Sequence, residues 1–321
     1  LAAPFGSMDP GNWGRATKWA AKAMIARAYL FYSGYYNDAD INGFTAADAM
    51  AQVDDVIASS GHSLVPEYAS LWRVSTLSEL GGDTSLSQYA GETNPEVLWA
   101  VRFEPSGNNF QWLQRMIGPR GTNKDPYGQG WGAMPVLPTL WNAFADDDKR
   151  KTASILYWDG EGKTYDYVTN QQGQYTGYNV KKYDMVSVNG KPEGQPDWQR
   201  DGFEDYILMR YADVLLMAAE LHLINGDAGT ALSLVNQVRD RAFGDASHRL
   251  TSINYSTSDI YQNDILQERR FELAFEGGSR YWDILRFCKG DFSKLVPILT
   301  YVDENDDGDQ SQSSDVYSLD V

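Results

Sequence analysis

Between Ile265 and Phe287 apolar and charged positions recur at helical spacing. Turned at about 100° per residue, Leu266, Phe271, Leu273, Ala274 and Phe275 fill one broad apolar arc. Glu268, Arg269, Glu272 and Glu276 form a narrow charged stripe opposite. Arg270 falls inside the apolar arc, where an unpaired charge is costly, so it is expected to reach a carboxylate or backbone carbonyls. Gly277 and Gly278 end the helix, because glycine takes left-handed angles without strain. Ser279 opens a second helix carrying Tyr281, Trp282, Ile284, Leu285 and Phe287.

The same periodicity marks the other end of the chain. Gly14 to Tyr36 reads as a long helix, with Trp19, Ala20, Ala23, Ala26, Tyr29 and Leu30 at steps of three and four. Thr45 caps a second helix from Ala46 to Ser59, with Ala49, Val53 and Val56 inward. Tyr206 to Asn225 is expected to be one helix, and Asp227 caps the next, with Ala231, Leu234, Val235 and Val238 on its apolar face. Pairs of alanine-rich helices are the unit of tetratricopeptide stacking. Glu220 and Arg239 are expected to pair with charges on the Glu268–Glu276 helix.

Between these ends helical periodicity fades. Glu96 to Phe103 alternates like a strand, and Pro105 to Pro138 turns to glycine, proline, amides and aromatics, the composition of loops. Trp141 to Arg150 reads as a short helix, Ile155 to Val188 as short strands or turns, and Pro192 to Gly202 as a polar loop. The expected fold is mainly α: a tetratricopeptide-like helical-pair superhelix with an irregular loop-rich lobe containing short strands. The boundaries are residues 1–60 for the first helical pair and 61–205 for a ligand-binding lobe. Residues 206–300 form the C-terminal helical scaffold and 301–321 an acidic polar tail.

Charge narrows the partners. A net charge of −17 on 321 residues argues against nucleic acid and anionic membrane surfaces. The single cysteine, Cys288, excludes an internal disulfide and sits on an apolar helix, where a buried inert thiol is expected. His62, His222 and His248 are far apart in sequence, against a histidine-rich metal site. No apolar run approaches the ~18–20 residues that span a bilayer. Leu1 to Met8 carries no signal-like start, so the chain reads as part of a longer protein.

The ordered string Leu266-x-Glu268-Arg269-Arg270-x-Glu272-Leu273-Ala274-Phe275-Glu276-Gly277, followed by Arg280-Tyr281-Trp282-Asp283-Ile284-Leu285-Arg286-Phe287, resembles the C-terminal signature of the SusD/RagB family. Gly14 to Ala23 with Ala26 to Leu30, Met209 to Glu220, Val235 to Ala242, and Gly130 to Pro135 resemble other segments of that family. The resemblance implies an outer-membrane, surface-exposed lipoprotein of Bacteroidota. Such a protein captures glycan without cleaving it and hands it to a SusC-type TonB-dependent transporter. It touches the membrane through an N-terminal lipid anchor that this chain does not contain. Some members of that family serve peptide uptake, so a peptide-binding helical scaffold is the alternative.

The residues offer their own route to a sugar site. The C–H faces of sugars stack on aromatic rings, while planar amides and arginine forks satisfy the hydroxyls at the ring edge. Glu104 to Trp141 holds these components together: Asn108, Asn109, Phe110, Trp112, Arg115, Tyr127 and Trp131, with Trp72 and Tyr68 in an earlier loop. Each aromatic competes with a plain packing role. Trp13, Trp19, Trp141 and Trp282 are assigned to helix packing and Trp99 to the core.

Catalysis is not expected. A glycosidase needs two carboxylates at a set separation, and among 44 Asp and Glu a pair can always be nominated. Glu268, Glu272 and Glu276 are interleaved with arginine, which suits ion pairing. No Gly-x-Ser-x-Gly elbow, phosphate loop or His-Glu-x-x-His is present. No cofactor is expected, with one alternative. Asp303, Asn305, Asp307 and Asp309 match the opening of a calcium loop, although its twelfth position would be Ser314 rather than Glu.

Overall fold

The computed structural model describes residues 3–7, 12, 14–81, 86–103, 111–120, 125–158, 176–188, 191–192 and 204–299. Its helices in chain order begin with α1 (Lys18–Tyr36), α2 (Ala46–Ser59), α3 (Arg73–Glu79), α4 (Leu113–Ile117), α5 (Pro138–Ala143) and α6 (Lys149–Ser154). They continue with α7 (Tyr211–Ile224), α8 (Ala228–Phe243), α9 (Asp264–Glu272), α10 (Ser279–Phe287) and α11 (Phe292–Leu299). The strands are short: β1 (Val97–Val101), β2 (Ile155–Tyr157), β3 (Tyr178–Val180), β4 (Ser187–Val188), β5 (Lys191–Pro192) and β6 (Tyr206–Arg210). They group into two compact units, one from the described parts of 1–66, 93–101 and 207–299, the other from those of 67–92 and 102–206.

The first unit is helical, with α1 packed on α2, α2 on α7 and α7 on α8. α1 starts at Lys18 rather than Gly14, because Thr17 is extended and its hydroxyl accepts from the Ala20 N–H at 3.1 Å. Asn37, in the left-handed region at φ 52°, ends it. Ala23, Ala26, Ala49, Val53 and Val56 are fully buried, which lets the first pair approach closely. α10 comes against α1 at Gly34, where a Cβ would sit 2.9 Å from that of Arg286. Every residue of α7 from Tyr211 to Leu221 is buried, the mark of a helix enclosed on all sides. The helix expected from Tyr206 begins only at Tyr211. Ile207 and Met209 alternate inward as strand β6, which pairs with β1. That pairing groups β1 with the helices, although it lies within the 61–205 span. Cys288 is buried, and burial pushes its thiol up.

The charged stripe of α9 is enclosed as well. Glu272 is 0% exposed, and Glu268, Arg269 and Glu276 are buried with it. Arg210 reaches Glu96 Oε1 at 2.7 Å, Glu272 Oε1 at 2.5 Å and Glu276 Oε2 at 2.6 Å, while Arg241 holds Glu96 and Glu272. Arg269 joins Asp213 at 2.6 Å to Asp283 at 2.7 Å. Arg239 pairs with Glu268 as expected, whereas Glu220 pairs with Arg286 of α10 instead. Arg270 is corrected: half-buried, it lies over the Tyr261 ring and donates to Gln267 rather than to a carboxylate. The helix also ends at Glu272, a turn before Gly277. The Glu272 carbonyl there accepts from Arg210, and Phe275 turns left-handed at φ 66°.

The second unit is irregular. β2 and β3 pair antiparallel with Leu156 opposite Asn179, and β4 and β5 form a second small ladder. The helix expected from Trp141 to Arg150 is instead two short ones, α5 and α6, separated at Phe144 to Asp148. Asp148 caps α6 through the Arg150 N–H. Its interior is built from aromatics: Tyr68, Trp72, Tyr127, Trp158 and Tyr183 are each 1% exposed or less. Lys181 is buried among them, bonded to Glu79 at 2.6 Å and to the Thr152 carbonyl at 2.7 Å. Trp141 packs against Tyr157 and Tyr178. The fold is thus mainly α, with tetratricopeptide-like helical pairs in one unit and loops with short strands in the other.

Candidate functional site: an aromatic corner

Among its described residues the loop-rich unit presents two tryptophans to solvent, Trp112 at 46% and Trp131 at 43% exposure. Trp112 heads α4, and its carbonyl accepts from the Met116 N–H at 2.9 Å. The segment carrying Trp131 runs alongside. Trp131 N–H donates to Arg115 O at 2.8 Å, Gly132 N–H to Gly118 O at 2.9 Å and Ala133 N–H to Met116 O at 2.8 Å. A Cβ on Gly130 would collide with the Gly118 backbone, so glycine is what lets the two segments touch. The rings consequently meet edge to face, centroids 5.4 Å apart and planes at 73°. Met116, on α4, and Met134, three residues after Trp131, are 40% and 43% exposed.

The polar residues beside these rings turn inward. Arg115 is buried, and its Nη1 donates to the Gln129 carbonyl. The side chain expected from sequence to fork onto sugar hydroxyls therefore holds the loop that carries Trp131. Gln111 Nε2 donates to Glu204 O at 2.6 Å, and Gln114 Oε1 accepts from the Glu204 N–H at 3.1 Å. Burial pushes the Glu204 carboxyl up to about 8, with Arg73 pulling the other way. Burial likewise raises Asp184 well above the usual carboxylate range and Asp205 to about 7. Gln114 of α4 lies against both Glu204 and Asp184, so burial disfavours ionisation on that side of the helix.

Of the other residues expected at the site, three belong to the core. Tyr127 is 0% exposed and packs on Trp158 at 6.0 Å; Trp72 is 0% exposed between Tyr183 and Tyr68, itself 1% exposed. In a unit whose described helices are short, rings from loops supply the interior, and these three are part of it. Asn108, Asn109 and Phe110 lie outside the described residues, as do Asp303, Asn305, Asp307, Asp309 and Trp13. Among the described residues no group of three or more His, Cys, Asp or Glu could hold a metal ion, and no helix is long and apolar enough to cross a membrane. Sequence reasoning missed Met116 and Met134. The first carried a signal, lying four residues after Trp112 on the same helical face. Trp282, assigned to packing, is 49% exposed and touches Phe31 edge to face.

Residues 95–318 match the model of the SusD family. The chain belongs to the SusD family. It is 32% identical over 214 residues to SusD-like protein P2 of Formosa agariphila, covering 64% of this chain and 41% of that one. Surface glycan-binding protein A from Bacteroides uniformis superposes with a TM-score of 0.65 at 25% identity, covering 90% of this chain and 53% of that one. The protein of the same name from Bacteroides thetaiotaomicron, solved in complex with laminarihexaose, shares the fold at TM-score 0.67 and 22% identity, covering 97% and 61%. This SusD-family chain spans about half the length of the relatives it matches.

Proposed function

We propose that this protein captures a polysaccharide or oligosaccharide at the cell surface without cleaving it, by stacking sugar rings on Trp112 and Trp131. The observation that carries the reading is the pair of half-exposed tryptophans held by backbone hydrogen bonds on the loop-rich unit of a SusD-family chain. Solvent-exposed aromatic faces offer sugar C–H surfaces a partner that water does not. The names of structural neighbours, surface glycan-binding proteins, point the same way. Binding without hydrolysis is consistent with Glu268, Glu272 and Glu276, whose interleaving with arginine suits ion pairing, being tied to arginines in the helical unit. In the full-length protein the captured glycan passes to a SusC-type TonB-dependent transporter, with an N-terminal lipid holding the protein on the outer membrane. No cofactor takes part; calcium at Asp303, Asn305, Asp307 and Asp309 is the one alternative.

Affinity electrophoresis on plant, host and microbial polysaccharides, with a reducing-sugar assay on the same mixtures, tests this. Retardation by at least one neutral polysaccharide without sugar release is the expected result. Sugar release would overturn the non-catalytic reading, and no retardation by any polysaccharide would overturn glycan capture.

A further inference from the structure

Two arginines of the helical unit have no carboxylate partner among the described residues. Arg270, near the end of α9, and Arg280, in the first turn of α10, both lie against the Tyr261 ring. Their guanidinium carbons are 5.4 and 5.7 Å from its centroid. Tyr261 belongs to the 3₁₀ turn Ile260–Gln262 and is 45% exposed; its hydroxyl donates to the Ile298 carbonyl of α11 at 3.3 Å. Arg270 donates to Gln267 Oε1 at 3.3 Å, and Arg280 to the Leu266 carbonyl at 3.5 Å and to the Tyr261 hydroxyl. The neighbouring Arg239, Arg241, Arg269 and Arg286 each end on a carboxylate instead. Asp283, whose charge is felt at Arg280, is already shared by Arg269 and Arg286.

That difference is unfavourable for the protein alone. Both guanidiniums are half-buried, and a partly desolvated charge without a counter-charge is costly. Burial lowers Arg270; burial, and then the positive charge of Arg270, bring Arg280 down to about 10. Arginine N–H groups form a fork suited to oxyanions, and Arg270 Nε and Nη2 have no acceptor among the described residues. A tetrahedral oxyanion carries acceptor oxygens on several sides and can serve donors arriving from different elements, whereas a planar carboxylate fills one fork. We propose that Arg270, Arg280 and Tyr261 form a binding site for a small free oxyanion, phosphate or sulfate, that ties the 3₁₀ turn, α9 and α10 together. A polyanion is a poorer occupant, because the net charge of −17 repels it along its length. The site is carried by the helical unit and does not rest on glycan capture.

Calorimetric titration of inorganic phosphate into the protein, with chloride as the background salt, should show saturable binding with a Kd of roughly 1 mM. In thermal melts, phosphate or sulfate replacing chloride at constant ionic strength should raise the midpoint by roughly 2–4 °C. Arg270→Gln and Arg280→Gln should each lose most of that rise. Their midpoints in chloride should stay within about 2 °C of the wild type, since each substitution removes a charge that has no carboxylate. No saturable binding by the wild type would overturn the proposal. So would an equal rise in both variants, which is the general effect of excluded salts, or phosphate affinity unchanged in either variant.

Discussion

Trp112 and Tyr127 are aromatics of the same loop-rich unit, fifteen positions apart by number, yet one is half-exposed and the other fully enclosed. Their substitutions should separate stability from binding. Tyr127→Ala is expected to destabilise the protein by about 3–5 kcal/mol through the cavity it leaves against Trp158 and Val186. Trp112→Ala should change stability by less than about 1 kcal/mol and abolish most glycan retention. Chemical denaturation beside affinity electrophoresis reads both. Which aromatic plays which role is only half legible in the sequence. Rings in irregular loops have no periodicity to reveal their inward face, so Trp112 and Trp131 cannot be told there from Tyr127 and Trp72. Arg115 misleads for a related reason: its guanidinium is as good a clasp for a backbone carbonyl as for a sugar hydroxyl.

Glu204 adds a pH dependence at the same scale. Burial raises its carboxyl from 4.5 to about 8, so the folded state keeps a proton that the unfolded chain releases. Between those values the native state binds more protons, and stability therefore falls as pH rises through the window. Asp184 and Asp205, raised by burial as well, act in the same direction. Thermal melts from pH 5 to pH 8 should show a declining midpoint for the loop-rich unit, and Glu204→Gln should make the decline shallower. An unchanged slope in that variant would show that Glu204 is not the group titrating.

Among the elements, α9 shows what periodicity can and cannot say. The spacing locates the helix but not its end, which comes a turn before Gly277, and it leaves open which face is buried, because the charged stripe is enclosed by arginines from α8 and the β6–α7 junction. Polarity alone assigns such a stripe to solvent; only the paired charges on distant segments allow it inside. Burial opposes ionisation of Asp213, yet Arg27 and Arg269 outweigh it and hold the carboxyl below its usual range. Asp283 is lowered by Arg269 and Arg286 against the same burial penalty. These two groups contribute stability above their unfolded values, lost as pH falls through the depressed ones. Asp213→Asn should cost about 3–5 kcal/mol, because it leaves buried guanidinium charge without its carboxylate. A denaturation midpoint unchanged by that substitution would argue that the Arg27–Asp213–Arg269 chain is not structural.

For the molecule as a whole, the helical pairs and their ends are the readable part, since amphipathic helices announce themselves at steps of three and four. The β6 strand before α7 is not, because Ile207 and Met209, inward-facing as a strand, also continue the apolar run of the helix after it. The net charge of −17 acts at this scale too. It should repel polyanionic polysaccharides at low salt, so neutral glycans are expected to be retained and uronate-rich or sulfated ones not, with the neutral interaction insensitive to added salt. Electrophoresis across a salt series checks this.

Whether glycan binds at the Trp112–Trp131 corner is decided by a calorimetric titration with a polysaccharide that retards the protein. The wild type is compared with a Trp112→Ala/Trp131→Ala double variant of equal melting temperature. Binding should fall below detection in the variant. An unchanged Kd would place the glycan elsewhere on the molecule and remove the corner from its capture.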